Sequence, residues 1–95
     1  MMMHAYKAAD IREHILKKYA EEFSSIGIAH DAVSDDYDLM DEGIIDSLGL
    51  IELIGDIEKK FNLKIDFEDL DADQMTIIGP FCRYVEENGE PIENN

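Results

Sequence analysis

Apolar residues recur at the helical period along most of this chain, and this pattern limits its fold more than any other feature. Successive residues of an α-helix are about 100° apart, so apolar residues three or four positions apart share one face. Such a face runs through residues 5–26, 47–61 and 76–87. No segment alternates as cleanly as a half-buried strand would. The pattern predicts an all-α fold, a four-helix bundle of three longer helices and one short third helix.

Residues that end or begin helices support these boundaries. Gly27 and Asn62 directly follow the first two segments, and both tolerate the left-handed conformation of a C-terminal cap. Thr76 is predicted to cap the last helix at its N-terminus. Pro80 then lies in the first turn, where its missing N–H does little harm, or the helix begins at Gly79 and Pro80 instead.

The connections between the helices are acidic and unequal in length. Residues 27–46 are predicted to form a long loop that is draped over the core, with room for one helical turn. Its apolar anchors are expected to be Val33, Leu39, Ile44 and Ile45. Residues 63–75 are predicted to hold a docked loop and the short third helix, with Leu63, Ile65, Phe67 and Leu70 as the apolar contacts. We expect one domain over residues 1–88 and a frayed tail over 89–95.

The charge of the chain excludes some partners. Twenty-three acidic residues against eight basic residues give a formal net charge of −15, which repels nucleic acid and anionic lipid. Basic protein partners are the natural expectation. No apolar run approaches the roughly 20 residues of a membrane span, and the Met-rich start lacks an apolar signal core. These features predict a cytoplasmic protein.

The second helix has an unusual polar side. Leu48, Glu52 and Asp56 fall within about 80° of one another, with Ile51 at the edge of this face and Gly55 close by. Isolated apolar residues on a surface need no explanation. Two apolar residues beside two carboxylates and two glycines, Gly49 and Gly55, however, favour a contact surface over a simply solvated face.

Ser47 lies where the acidic loop becomes this helix, and it has several possible roles. A serine at this place is commonly only an N-cap, because its oxygen accepts from the first-turn N–H groups. A hydrolase elbow needs glycine two residues before and after the serine, but Ile45 occupies the first of these places. The histidines His4, His14 and His30 have no recognisable partner, so no catalytic residue is predicted.

Calcium binding by the preceding acidic stretch is a further possibility. If Asp36 and Asp38 are aligned with the first and third positions of an EF-hand loop, Asp41 stands where glycine is required. Ser47 then stands where the bidentate glutamate belongs. No metal site is therefore predicted, and Cys82 is expected to be a small core residue.

Covalent modification of Ser47 is the role that draws on all the features of this region. A helix N-terminus offers N–H groups and a partial positive charge, and both suit an attached phosphate. A phosphodiester-linked arm would begin at Ser47 and be presented beside the acidic face. The capping role remains open beside this one.

The stretch "EGIIDSLGLIELIGDIEKKF" resembles the signature of acyl and peptidyl carrier proteins, in which Asp-Ser-Leu opens the second helix of a four-helix bundle. The resemblance implies that a phosphopantetheinyl transferase attaches 4'-phosphopantetheine from coenzyme A to Ser47. The thiol of that arm would carry acyl or aminoacyl groups as thioesters. Partner enzymes, which are loading ligases and downstream synthases or transferases, would bind the second-helix surface through basic patches. That surface maps onto Asp46, Leu48, Ile51, Glu52, Asp56 and Glu58.

Three departures bear on the cargo. Gly49 follows Asp-Ser-Leu where fatty-acid carriers often have an acid, and Lys59 and Lys60 stand where acids are common. The spacing from Phe61 to Thr76 is also slightly longer than in typical fatty-acid carriers. The Asp-Ser-Leu-Gly form and the segment "DFEDLDADQM" look more like stand-alone carriers such as the D-alanyl carrier protein and other aminoacyl or specialised carriers. We expect a monomeric, non-catalytic acyl carrier in fatty acid, polyketide or specialised metabolite synthesis, with an aminoacyl or D-alanyl carrier as the alternative. An unmodified interaction subunit of the same fold is the hypothesis from a different class.

Overall fold

The computed structural model describes residues 7–65 and 76–91. Its α-helices are α1 (Ala8–Lys18), α2 (Ala20–Ser25), α3 (Ser47–Phe61) and α4 (Ile78–Asn88), and a 3-10 turn covers His30–Ala32. Helix α1 packs against both α3 and α4, so the core lies between these three helices. The predicted all-α class is confirmed. The predicted short third helix, with Phe67 and Leu70, lies outside the described residues.

The first helix is divided where the sequence predicts one continuous helix. Tyr19 has φ −108° and ψ 24°, outside the helical range, and separates α1 from α2. The hydrogen bonds nevertheless continue, because the Tyr19 amide donates to Ile15 O at 3.1 Å and Tyr19 O accepts from Phe23 N at 3.0 Å. The division is therefore a local bend, and it leaves both Tyr19 and Phe23 buried in the core.

Both predicted C-terminal caps are confirmed. Gly27 has φ 81°, the Ile28 amide donates to Phe23 O at 2.9 Å, and the Gly27 amide donates to Ser24 O at 3.0 Å. These two bonds form a Schellman motif, which a residue with a side chain would strain. Asn62 ends α3 in the left-handed conformation, with φ 53° and ψ 55°.

The acidic loop between α2 and α3 is held down as predicted. Val33, Leu39 and Ile45 are buried, and Ile44 packs partly buried against the same core. The backbone adds a second attachment, since the Leu39 amide donates to Thr76 O at 2.8 Å. The loop is therefore fixed both to the core and to the segment that leads into α4.

Helix α4 begins without the predicted Thr76 cap. Ile77 occupies the N-cap position and makes no side-chain cap bond. Instead, the Ile78 amide donates to Tyr37 O at 3.0 Å and the Gly79 amide donates to Asp35 O at 2.8 Å. Loop carbonyls thus replace a capping side chain.

The surroundings of the first turn of α4 explain why Gly79 and Pro80 occur there. Pro80 follows in the first turn, where its missing N–H does no harm, and the helix begins at Ile78, between the two predicted starts. A Cβ on Gly79 would lie 2.8 Å from Asp35 Cβ, so only glycine lets the loop approach this closely.

Two short strands were not predicted. Leu63–Lys64 (β1) pairs antiparallel with Glu90–Pro91 (β2), with Leu63 opposite Pro91 and Lys64 opposite Glu90. The first residues of the tail that was expected to fray are therefore paired with the segment that follows α3. This contact joins residues far apart in sequence, which is why local patterning gives no sign of it. Residues 92–95 lie outside the described part of the chain.

Cys82 is the small core residue that was predicted. Its side chain is buried beside Phe81 and Val85, and burial raises the pKa of the thiol to about 12. The thiol is consequently protonated and unreactive near neutral pH. Within the described ranges, none of the helices is long and apolar enough to cross a membrane.

Candidate functional site

Asp46, and not Ser47, caps α3. Asp46 has an extended backbone, with φ −111° and ψ −171°, and its Oδ1 accepts a hydrogen bond from the Gly49 amide at 2.8 Å. Ser47 is the first helical residue. The capping role that the sequence left open for Ser47 falls to Asp46, because a carboxylate on the preceding extended residue already reaches the third amide of the helix.

This shift leaves the Ser47 side chain uncommitted. Ser47 is exposed, and its hydroxyl makes no hydrogen bond within the described ranges. The amides of Ser47 and Leu48 likewise find no backbone acceptor there, whereas the Leu50 amide donates to Asp46 O at 2.9 Å. The helix start that carries this available hydroxyl therefore also offers two N–H groups and the positive end of the helix dipole.

An open groove of about 600 Å³ begins at Ser47. Its walls are the end of α1, the last part of the acidic loop and the first turns of α3, including Tyr19, Ile44 and Glu52. Gly43 shapes the loop wall, since its φ of 82° permits the turn that brings the Ile44 amide to Leu39 O at 2.8 Å. The groove mixes apolar and polar side chains and stays open to solvent.

The apolar residues that were predicted to form a contact face lie exposed on α3 next to Ser47. Leu48 and Ile51 are 72% and 66% exposed, and they lie one turn apart, so together they form an exposed apolar patch. Glu52 is also exposed, and a Cβ on Gly55 would meet no atom within 4 Å. The face is therefore apolar near the serine, acidic next to it, and open at the glycine.

The other two predicted contact acids are engaged within the chain. Asp56 Oδ2 forms an ion pair with Lys18 Nζ from α1. Glu58 is only half-exposed, and its Oε2 accepts a hydrogen bond from the Ile65 amide at 2.9 Å. Glu58 therefore holds the segment after α3 and lies apart from the face formed by Leu48 and Glu52.

Lys18 and Tyr19 are site residues that the sequence did not reveal. Lys18 Nζ lies 5.7 Å from the centre of the Tyr19 ring, and both residues line the groove that begins at Ser47. The hydrogen bond with Lys18 lowers the pKa of Asp56, and the same bond raises the pKa of Lys18. A contact between two helices leaves no periodic signal, so only the structure shows it.

His14 lies on the same seam between α1 and α3. Its ring meets the Phe61 ring edge-on, with the centroids 5.9 Å apart. Its Nε2 is buried without a hydrogen bond, and burial lowers the pKa of the imidazole. The imidazole is a packing group here, and it makes no hydrogen bond to a nucleophile in the described ranges.

The described side chains also bear on metal chemistry. Across residues 7–65 and 76–91, no group of three or more His, Cys, Asp or Glu side chains is placed to hold a metal ion. Asp38, one of the acids in the loop, is instead used locally: its Oδ1 accepts from the Met40 amide at 3.1 Å and the Asp41 amide at 3.0 Å.

Comparisons with known proteins agree with this geometry. The family described as "Phosphopantetheine attachment site" matches residues 17–78, a range that includes the groove, Ser47 and all of α3. D-alanyl carrier proteins of Streptococcus pyogenes serotype M5 (strain Manfredo), serotype M49 (strain NZ131) and serotype M1 are each 38% identical over 52 residues. The match covers 55% of this chain and 66% of each relative, just under two thirds of the relatives' length.

No solved structure gives a significant match. The family match alone covers well over half of the chain and includes the serine that opens α3. The chain therefore belongs to the phosphopantetheine attachment site family, whose prosthetic group is a covalently attached 4'-phosphopantetheine.

Proposed function

We propose that Ser47 is the attachment point of 4'-phosphopantetheine and that the chain is a stand-alone carrier with no catalytic activity of its own. One observation carries the proposal: Asp46 caps α3, so the exposed Ser47 hydroxyl is left without a hydrogen bond in the described ranges. A serine that served as the cap would have its oxygen committed to the helix. Here Asp46 caps the helix, and the hydroxyl of the neighbouring Ser47 stays available for attachment.

The residues around Ser47 fit a phosphodiester. The amides of Ser47 and Leu48 offer two donors at the positive end of the helix, which favours an anionic group by roughly 0.3–1 kcal/mol at an exposed site. Attachment forms a bond from Ser47 Oγ to the phosphorus that carries pantetheine in coenzyme A, breaks the pyrophosphate bond, and releases adenosine 3',5'-bisphosphate and the hydroxyl proton. When bound, the arm supplies a terminal thiol that holds cargo as a thioester.

The exposed face of α3 supports the carrier role further. Leu48 and Ile51 offer apolar contact close to Ser47, and Glu52 offers a charge to a basic partner. Such a surface suits brief docking, because exposed charges mainly speed association and contribute little to affinity. We propose that the transferase, a loading ligase and the downstream enzymes dock there.

For the cargo, we propose an aminoacyl group, with D-alanine as the first candidate. The support is the similarity to D-alanyl carrier proteins together with the groove beside Ser47, which is open and partly polar. A fatty acyl or polyketide cargo remains the alternative. Loading of the modified protein by a D-alanine-activating ligase with ATP, against transfer of a malonyl group by a malonyltransferase, separates the two.

The attachment site is tested by intact mass. Wild type, Ser47→Ala and the matched control Ser24→Ala are incubated with coenzyme A and a broad-specificity phosphopantetheinyl transferase. We expect wild type and Ser24→Ala to gain the mass of one phosphopantetheine, and Ser47→Ala to gain none. Equal gain by Ser47→Ala would place the arm elsewhere, and no gain by any of the three would favour the unmodified interaction subunit.

A further inference from the structure

The two acids on the contact face of α3 are in different states. Glu52 is exposed and makes no ion pair within residues 7–65 and 76–91. Asp56, one turn further along the helix, is paired with Lys18 from α1. A cationic group that approaches the face thus meets one open carboxylate and one that is already occupied.

Lys18 is held in position by more than Asp56. It is the last residue of α1, and its ammonium lies 5.7 Å from the centre of the Tyr19 ring. Tyr19 is only 7% exposed, so its ring is fixed by the core and forms a stable platform for the cation. The Lys18 side chain is itself only 29% exposed, while that of Asp56 is 43% exposed.

The surroundings of Asp56 are basic as well. Lys59 and Lys60 are exposed in the last turn of α3, and neither forms an ion pair with the part of the chain that the structure describes. Lys59 lies seven residues after Glu52 and so on nearly the same side of the helix, roughly 10 Å further along. The face is consequently acidic near Ser47 and basic at its far end.

A purely structural explanation covers only part of this arrangement. Lysines in the last turn of a helix interact favourably with the helix dipole, which accounts for Lys59 and Lys60 and for a lysine at the end of α1. It does not account for the ammonium of Lys18 lying on a carboxylate of another helix. Because exposed ion pairs contribute only about 0–1 kcal/mol to stability, the main consequence of this pair is the loss of one open acid from the face.

We propose that Lys18 is an internal competitor for Asp56, so that the face beside Ser47 accepts a partner protein's basic side chain opposite Glu52 and disfavours one opposite Asp56. This rests on the proposed function, in that the same face is taken as the docking surface. A partner that fits has an apolar recess for Leu48 and Ile51, a cation at Glu52, and an uncharged or acidic group beyond it. Lys18 then determines which basic partners bind and where along α3 they bind.

The probe for this proposal is a hexa-arginine peptide, titrated at low salt into the protein without its arm. Backbone amide NMR locates the peptide and gives its affinity. Wild type is compared with Lys18→Met and with the matched control Lys17→Met. Both variants remove one positive charge from the same turn, but Lys17 is exposed and makes no ion pair within the described residues.

We expect wild-type shifts to centre on Glu52 and to be weak at Asp56. In Lys18→Met, Asp56 should join the peptide site and the affinity should rise by roughly two- to fivefold, the value of one exposed ion pair. Lys17→Met should behave as wild type. Equal tightening by both variants, or wild-type shifts at Asp56 that match those at Glu52, would overturn the proposal.

A double variant separates competition from a change of fold. In Lys18→Met with Asp56→Asn, the affinity should return to the wild-type value, because the uncovered carboxylate is gone. If the gain persists in the double variant, Lys18 acts by another route and the proposal fails. The titration needs no attached arm, so its failure leaves the attachment at Ser47 intact, and a failed mass gain leaves the peptide result intact.

Discussion

Helices α3 and α4 begin in opposite ways within one small bundle. At α4, two loop carbonyls take the first amides, and the first residue, Ile78, is 0% exposed. At α3, one carboxylate caps the third amide, and Ser47 and Leu48 face solvent with their amides unbonded in the described ranges. Every helix start has N–H groups to satisfy. The comparison shows that a start becomes a site for chemistry when its neighbours leave those groups open.

Substitutions at the first residues of the two helices should differ most in their effect on the free energy of unfolding. Ile78→Ala removes a fully buried side chain between α4 and the core, so we expect a loss of about 2–5 kcal/mol in the free energy of unfolding. Ser47→Ala removes an exposed hydroxyl and should change it by less than about 0.5 kcal/mol. Urea unfolding followed by circular dichroism measures both. A large loss for Ser47→Ala would mean that the hydroxyl supports the fold.

The cap of α3 should have an intermediate effect. Asp46→Ala removes the acceptor of the Gly49 amide, and we expect a loss of about 1 kcal/mol. Asp46→Asn keeps a side-chain oxygen at the same place and is the matched control, with little expected change. If Asp46→Ala is as stable as wild type, the bond from the Gly49 amide to Asp46 contributes nothing measurable to the start of α3.

The smallest effect should be a dependence of stability on pH that comes from Asp38, near the start of α4. Hydrogen bonds from the Asp41 amide, the Thr76 hydroxyl and the Met40 amide lower the pKa of Asp38, which lies in the loop that satisfies α4. A carboxyl whose folded pKa is lowered binds fewer protons folded than unfolded. Its contribution to stability is therefore present above the ordinary pKa of 3.8 and is lost as pH falls through the folded pKa.

Unfolding of wild type and Asp38→Asn between pH 6 and pH 2 measures this contribution. The variant should be less stable than wild type at pH 6, and the difference should shrink as the solution is acidified. The matched control is Asp36→Asn in the same exposed loop. A difference that stays constant with pH would mean that the charge of Asp38 does not contribute to the anchoring of the loop.

Local chemistry explains what the sequence predicted correctly. Gly27 and Asn62 mark helix ends because few residues tolerate a positive φ, and the limits of α3 follow from its apolar stripe. Leu48 was expected to be exposed because it falls outside that stripe, and the structure confirms it.

The incorrect predictions concern contacts between distant segments. The prediction of Thr76 as a cap was wrong because the loop carbonyls that replace it come from about forty residues earlier in the chain, where local patterning gives no sign of them. The pairing of Lys18 with Asp56 and of Lys64 with Glu90 is invisible for the same reason. At Ser47 the sequence left the capping role open, because serine and aspartate are about equally good caps and only the backbone decides between them.

The pairing of β1 with β2 has a practical consequence for handling the molecule. Helix α3 spans 15 residues, or roughly 22 Å, and β1 follows its far end. Pro91 is held against β1, so the last described residue sits at the pole of the molecule opposite Ser47. A fluorophore or surface tether attached beyond Pro91 would therefore orient the protein with its serine pole toward the solution.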